Sequence, residues 1–392
     1  MLVGDDKAIR ALYTQPADPF PLYLHPTKKG DPKVAVVFIL ASLSTSLRNF
    51  RGPLIAELAE RGHEVHVAAP DLLEDATTCE WLNERGIECH DVPLSRAALN
   101  PFADLGTLRV LRQLMTQLRP DLFLGYTIKP VIWGLIAARM SGVSRRVALI
   151  TGLGYAFTGQ ARGKRALVQK LARSLYARAL KGATLVFFQN PDDRATFRQM
   201  GLLPEETLEV IVNGSGVDTN TFAPVPLPDG PTRFLLIARL LGDKGIKEYV
   251  AAARMLRAER PDIEFHLIGG LDPNPDGISE TEVQRWHDAG DIVWHGALND
   301  VRPSIAAAHV YVLPSYREGT PRTVLEAMSM GRAIVTTDAP GCRETVQDGE
   351  NGFLVPTQDV ASLADAMRRF LNTPELMTTM GASARKVAVE KY

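Results

Sequence analysis

The chain has 392 residues, 45% hydrophobic and 23% charged, which is too long for one ordinary core and right for two domains. A net charge of −1 excludes a molecule that binds polyanions over its whole surface, so only the distribution of charge is informative. No apolar run approaches the roughly 18 residues of a membrane span, and the N-terminus lacks a signal-peptide pattern. A soluble or peripheral protein is therefore expected. Three cysteines, Cys79, Cys89 and Cys342, show neither a CxxC nor a metal spacing and fit a reducing cytoplasm. Residues 1–33 hold Pro16, Pro19, Pro21, Pro26 and Pro32 with little periodicity. They read as an extension ahead of the first domain, with one helical turn at most, over Ala8 to Tyr13.

The first domain is expected over 34–218. Residues 34–40 form a buried strand, followed by a serine-rich loop over 41–53, a helix through Leu54, Leu58 and Ala59 ending at Gly62, and a strand over 64–70. That is a Rossmann-type start. Ser42, Ser44 and Ser46 are small enough for a diphosphate to approach the backbone, although a plain βα loop has the same composition. Further on come a helix closing at Gly86, a strand over 87–93, a turn at 95–102, a helix to Leu118 and a strand over 121–126. Thr127 to Pro130 then read as a loop before a helix from Val131. Lys129, just before Pro130 at a strand's carboxyl end, is a site candidate as well as a possible solvated charge. A strand over 146–155 breaks at Gly152 and Gly154.

Residues 161–182 carry Arg162, Lys164, Arg165, Lys170, Arg173, Arg178 and Lys181 and no acid. Leu167, Leu171 and Leu175 recur every four residues, which makes a basic amphipathic helix. A core-packed helix with a charged outer face would look similar, but a solvated face usually mixes signs. One sign throughout points to an anionic membrane surface. Nucleic acid is the weaker expectation, because no RNP, zinc or helix-turn-helix signature accompanies the helix. A strand over 184–190, a capped helix ending at Gly201 and the stretch 208–218 close the domain.

The proline-rich run after 218 marks the boundary, and 219–392 start a second Rossmann-like sheet. Arg239 and Lys244 lie five apart across a loop leaving a strand. Residues 263–270 are a strand into Gly269 and Gly270, which would let the chain pass close to a ligand. A loop over 271–277 and a short strand over 291–298 follow, with His295 read as structural. The most informative stretch is 310–335, V-Y-V-L-P-S-Y-R-E-G-T-P-R-T-V-L-E-A-M-S-M-G-R-A-I-V. It reads as strand, loop, helix, strand, with Thr320 as N-cap, Pro321 at the first helical position and Gly331 as C-cap. Glu318 sits in the loop at the strand's end. Glu326 lies roughly 7.5 Å into the helix. Amides at Thr320, Pro321, Arg322 and Thr323, beside Gly319, suit a phosphate, and a carboxylate one turn further in suits a pair of sugar hydroxyls. Residues 351–356 read as a hairpin-like return before a helix from Ala361.

E-G-T-P-R-T-V-L-E is a Glu-x7-Glu motif and resembles that of retaining GT-B glycosyltransferases of family 4. Residues 95–102, 126–134 and 151–155 resemble the members that build lipid-linked bacterial glycans, nearest to those adding N-acetylgalactosamine to an undecaprenyl-diphosphate-linked sugar. N-G-S-G-V-D at 213–218 resembles the family's interdomain crossing. The resemblance covers nearly all of 34–392 and implies a GT-B fold: two Rossmann-like domains facing a central cleft, an acceptor and membrane side first and a nucleotide-sugar-binding side second. It makes Arg239 and Lys244 the clamp on the donor diphosphate, where two cations would stabilise the departing charge. Many relatives place a donor-binding histidine in the loop corresponding to 126–130, and here Thr127 or Lys129 stands there instead. The family's helix that crosses back onto the first domain looks short or missing after the final V-E-K-Y.

The implied reaction moves a hexose or N-acetylhexosamine, with N-acetylgalactosamine the best choice, from a UDP-sugar to a polyprenyl-diphosphate-linked saccharide. No cofactor and no metal are expected, since no D-x-D motif is placed to hold one. The implied location is the cytoplasmic face of the cell membrane, peripherally. Three alternatives stay open: a soluble or phospholipid acceptor, a UDP-sugar 2-epimerase, and a non-catalytic nucleotide-sugar-binding subunit.

Overall fold

The computed structural model describes residues 34–94, 101–153, 164–272, 274 and 276–392. The expected extension at 1–33, the turn at 95–100, Gly154, Tyr155 and the start of the basic segment at 161–163 lie outside the described residues. Contacts divide the chain into two compact units, the first ending at Val212 and the second beginning at Asn213. The expected boundary at 218 is therefore six residues late. The intervening residues belong to the second unit: Asn213 Nδ2 donates to the Lys391 carbonyl at 2.9 Å, and Asp218 accepts from Thr221 at 2.6 Å.

The first unit runs β1 (Val36–Leu40), α1 (Ser44–Glu60), β2 (Glu64–Ala69), α2 (Ala76–Asn83), β3 (Glu88–Asp91), α3 (Pro101–Leu118), β4 (Leu122–Tyr126), α4 (Ile128–Met140), β5 (Arg145–Ile150), α5 (Lys164–Leu180), β6 (Leu185–Phe188), α6 (Pro191–Gln199) and β7 (Leu208–Ile211). Its strands pair in parallel in the order β3-β2-β1-β4-β5-β6-β7. The second unit runs β8 (Arg233–Ile237), α7 (Ile246–Glu259), β9 (Glu264–Ile268), α8 (Glu280–Asp288), β10 (Val293–Trp294), α9 (Arg302–Ala306), β11 (Val310–Leu313), α10 (Arg322–Ser329), β12 (Ala333–Thr337), β13 (Gly352–Val355), α11 (Val360–Asn372) and α12 (Glu375–Lys391). Its parallel order is β10-β9-β8-β11-β12-β13. Each sheet thus reverses direction once, between β1 and β4 and between β8 and β11. Open α/β sheets bind ligands at such switch points, beyond the carboxyl ends of the strands.

Both sheets are covered on both faces, which is why their strands read as unbroken apolar runs. In the second unit Phe234, Leu236, Val310 and Val312 face one core, and Leu235, Ile237, Tyr311 and Leu313 face the other. Burying one such side chain stabilises the unit by about 1.5–3 kcal/mol. The stretch over 351–356 differs from expectation. It is no hairpin: β13 pairs in parallel with β12, from Ile334↔Gly352 to Thr337↔Val355.

Three helix starts also differ. The helix expected after Pro53 begins at Ser44 and carries Pro53 inside it. The helix expected from Val131 begins at Ile128, so Pro130 sits in its first turn, where a missing N–H costs nothing. The helix after Glu318 begins at Arg322 with Pro321 as its N-cap, so Thr320 does not cap it.

Candidate active site

At the second switch point, the chain leaving β8 turns through a short 3-10 segment, Gly242–Lys244, and the chain leaving β11 forms the loop into α10. The two meet in one ion pair. Lys244 Nζ lies 2.6 Å from Glu318 Oε1, and the side chains are only 13% and 18% exposed. Ser315 Oγ donates to the same carboxylate oxygen at 2.8 Å. Burial pushes the Lys244 ammonium down, but the carboxylates of Glu318 and Asp243 outweigh it, and its pKa lies above the ordinary lysine value. Burial holds Asp243 above the ordinary carboxylate range, against the pull of Lys244.

The backbone of this loop is fixed by a third segment. Glu318 N donates to the Pro340 carbonyl at 2.9 Å. Gly341 has φ +83, and a Cβ there would lie 2.2 Å from the Glu318 carbonyl oxygen and 2.6 Å from that of Gly319. Only glycine satisfies both the left-handed backbone and this contact. Thr323 Oγ1 accepts from the Tyr311 hydroxyl at 2.6 Å, which ties the first turn of α10 to β11.

Glu326 is buried as the fifth residue of α10. Its Oε1 accepts from Arg322 Nε at 2.8 Å, one turn earlier. Burial raises its pKa and Arg322 pulls it back. Of the expected phosphate-binding amides, Pro321 has no N–H to give, which leaves Thr320, Arg322 and Thr323. Arg239 is 59% exposed and donates through Nη1 to Asp272 Oδ2 at 2.7 Å. Gly269 accepts from Trp294 Nε1 at 3.0 Å. A Cβ on Gly269 would lie 1.9 Å from the Ala238 carbonyl oxygen, so the close approach there is to the chain leaving β8. At Gly270 the nearest contact, Ala297 Cβ at 3.4 Å, is ordinary.

The first unit's candidates behave differently. Lys129 is not in an open loop. It lies buried in the first turn of α4, with Nζ 2.9 Å from Asp104 Oδ1 on α3. The pair ties the first turn of α4 to α3. Ser44 opens α1 and is buried. Ser44 hydrogen-bonds the Asp75 carboxylate, and beside it Ser46 Oγ lies 2.8 Å from the Tyr126 hydroxyl and Thr127 Oγ1 donates to Ser42 Oγ at 2.9 Å. Thr127 has φ 69 and ψ 166, a region otherwise left to glycine, and such strain tends to collect at functional sites. On α5 Gln169, Ala172, Tyr176, Ala179 and Leu180 are buried and Leu175 packs half-buried against the same core, while Leu171 stands 46% exposed and Lys170, Arg178 and, just past the helix, Lys181 are exposed. Leu171 thus lies on the charged outer face, while Leu175 and Leu180 pack toward the core.

Of the acids and cations that sequence reasoning named in the second unit, the structure joins Lys244 to Glu318, while Arg239 pairs with Asp272 and Glu326 with Arg322. Sequence reasoning missed Ser315, Asp243 and Asp272. Asp243 adjoins Lys244 and Ser315 follows a strand-ending proline, so both had a local signal; Asp272 reaches the site from another loop and had none.

A model described as Glycosyl transferase 4-like domain matches residues 49–214, and one described as Glycosyl transferases group 1 matches residues 231–373. The chain is 29% identical over 364 residues to the N,N'-diacetylbacillosaminyl-diphospho-undecaprenol alpha-1,3-N-acetylgalactosaminyltransferase of Campylobacter jejuni, covering 90% of this chain and 93% of that one. Among solved structures, sucrose-phosphate synthase from Thermosynechococcus elongatus superposes with a TM-score of 0.75 at 21% identity, over 91% of this chain and 95% of that one. Anabaena HepE in complex with UDP and glucose superposes with a TM-score of 0.72 at 19% identity, over 91% and 95%. With glycosyltransferase models matching both Rossmann-like halves and a fold shared with solved glycosyltransferases, the chain belongs to the GT-B glycosyltransferases of family 4.

Proposed function

We propose that this glycosyltransferase moves an N-acetylhexosamine, N-acetylgalactosamine in the first instance, from a UDP-sugar to a polyprenyl-diphosphate-linked saccharide with retention of anomeric configuration. The observation that carries the donor assignment is the Lys244–Glu318 pair at the β8/β11 switch point, with Glu326 buried one helical turn beyond it. The Campylobacter relative, whose name specifies an N-acetylgalactosamine transfer to a diphospho-undecaprenol acceptor, supports the choice of sugar and acceptor.

In this mechanism Glu326 accepts two ribose hydroxyls, a task suited to a carboxylate on a rigid helix. Lys244 has three donors, so it keeps Glu318 while meeting the diphosphate. Arg239 exchanges Asp272 for a phosphate oxygen. The amides of Thr320, Arg322 and Thr323 complete the charge stabilisation, and no metal is called on. The bond from the anomeric carbon to the diphosphate breaks, the acceptor hydroxyl adds on the same face, and its proton goes to the departing phosphate oxygen. Glu318 orients the transferred sugar.

The acceptor is anchored in a membrane, and the exposed basic side chains of α5 around Leu171 suit peripheral attachment to an anionic, cytoplasmic leaflet. Among the described residues no helix is long and apolar enough to cross a membrane. The test is UDP release from a panel of UDP-sugars, with and without a polyprenyl-diphosphate disaccharide or monosaccharide. Release from an N-acetylhexosamine donor that depends on the lipid-linked acceptor is expected. Equal release with a soluble sugar acceptor would refute the acceptor assignment.

A further inference from the structure

The two Rossmann-like units repeat one constellation of side chains that the transfer reaction does not use. In the first unit β2 carries Glu64 and His66, and β3 carries Glu88 and His90. Parallel register sets His66 opposite Glu88 and Ala68 opposite His90, so these four side chains share one face of the sheet. In the second unit β9 carries Glu264 and His266, register sets His266 opposite Val293, and His295 follows two residues later.

The contacts match as well. His66 Nε2 lies 2.9 Å from Glu64 Oε1, and its Nδ1 lies 3.1 Å from His90 Nε2. His266 Nε2 lies 3.2 Å from Glu264 Oε2, and its Nδ1 lies 2.8 Å from His295 Nε2. One residue distinguishes the two arrangements. Where the second unit has Val293, the first has Glu88, whose Oε2 reaches within 3.3 Å of His66 Nδ1.

We infer that His66, Glu88 and His90 form a binding site for a divalent first-row cation, zinc by ligand chemistry, completed by water. Glu64 accepts the Nε2–H of His66, which fixes the tautomer and leaves the Nδ1 lone pair directed at His90 and Glu88. An outer carboxylate of this kind is the usual partner of a metal-bound histidine. A tetrahedral ion with ligands at about 2.0–2.1 Å holds them about 3.3 Å apart. The 3.1 Å and 3.3 Å separations match that edge. All three donor atoms lie within 4.8 Å of one another.

Two imidazoles and a carboxylate suit zinc and its neighbours in the first row rather than magnesium or calcium. The His66 side chain is 2% exposed and that of Glu88 68%, so the ion enters from the Glu88 side and keeps water there. In the second unit the 2.8 Å spacing is that of a direct N–H···N bond, and Val293 supplies no third ligand. The ion would fasten edge strand β3 to β2.

The full chain, stripped of metal with a chelator, is titrated with zinc against a chromophoric competitor. One zinc per chain is expected. Glu88→Gln, at an exposed position that leaves the fold intact by circular dichroism, should weaken it at least about tenfold, since even outer partners of a metal ligand are worth about 10–100-fold. His295→Gln should bind as the unsubstituted chain does. Val293→Glu should add a second equivalent. Any of three results would overturn the site: no zinc bound at micromolar concentrations, unchanged affinity in Glu88→Gln (which would place the ion elsewhere, for example on Cys79 and Cys89), or one equivalent only in Val293→Glu.

Discussion

Separating Lys244 from Glu318 should expose how much the donor loop depends on one ion pair. At 2.6 Å and an effective dielectric of about 20, the attraction is about 6 kcal/mol. Desolvation of two groups that are 13% and 18% exposed takes back more than half, leaving a net coupling of about 2–3 kcal/mol. Each single change, Lys244→Met or Glu318→Gln, leaves a mostly buried charge or dipole without its partner and should cost about 3 kcal/mol. The double variant should cost less than the sum by the coupling energy. Urea denaturation of the four proteins, with the m-value constant across the set, supplies the cycle.

The pH dependence has a definite sign. The folded pKa of Lys244 lies above its unfolded value of about 10.4, so the stabilisation is complete below that value and is lost only as pH rises through the folded pKa. The coupling should therefore be equal at pH 7 and at pH 9, values well below the unfolded pKa. A coupling below about 0.5 kcal/mol, the level of an exposed pair, or one that fades between those pH values, would refute the electrostatic argument.

Three further outcomes are expected. Gly341→Ala forces a Cβ to within 2.2 Å of the Glu318 carbonyl oxygen. The loop must shift, and turnover should fall about 100-fold, as for a misplacement of about 1 Å, with UDP affinity retained; wild-type kinetics would show that the Glu318 loop does not position substrate. Lys129→Met breaks the buried pair with Asp104 and should lower unfolding free energy by about 3 kcal/mol without altering the donor KM; unaltered stability with a raised KM would return Lys129 to the site. Lys170→Glu with Arg178→Glu should weaken sedimentation with anionic liposomes, and raising salt should do the same to the unsubstituted chain; equal sedimentation with neutral and anionic vesicles would rule out an electrostatic membrane contact.

The strands were legible because parallel sheets buried on both faces write themselves as apolar runs, and the Glu-x7-Glu stretch was legible because strand, loop, helix and both acids fall within one local segment. Helix starts were not. Pro53, Pro130 and Pro321 each suggested a boundary, and the structure uses them inside a helix, within a first turn and at an N-cap. Proline fixes φ without fixing which of these roles it takes. The burial of Lys129 was not legible because its partner Asp104 is on another helix, 25 residues away. The outward place of Leu171 was not legible, because Tyr176, with Ala172 and Ala179, shares the packing stripe with Leu175 and Leu180.

Calorimetry with UDP on Glu326→Ala and Glu318→Ala, paired with initial rates on the UDP-sugar, asks most directly whether α10 and its preceding loop hold the donor. Glu326 is buried on a helix and should meet the ribose, common to UDP and every UDP-sugar. Its loss should weaken both by about 1.5–3 kcal/mol, the worth of hydrogen bonds to a charged group. Glu318 lies on the loop and should meet the transferred sugar, so Glu318→Ala should keep UDP affinity and lower turnover, as expected for contacts made mainly in the transition state. Loss of UDP binding in Glu318→Ala with retention in Glu326→Ala would contradict the placement of the nucleotide at this switch point.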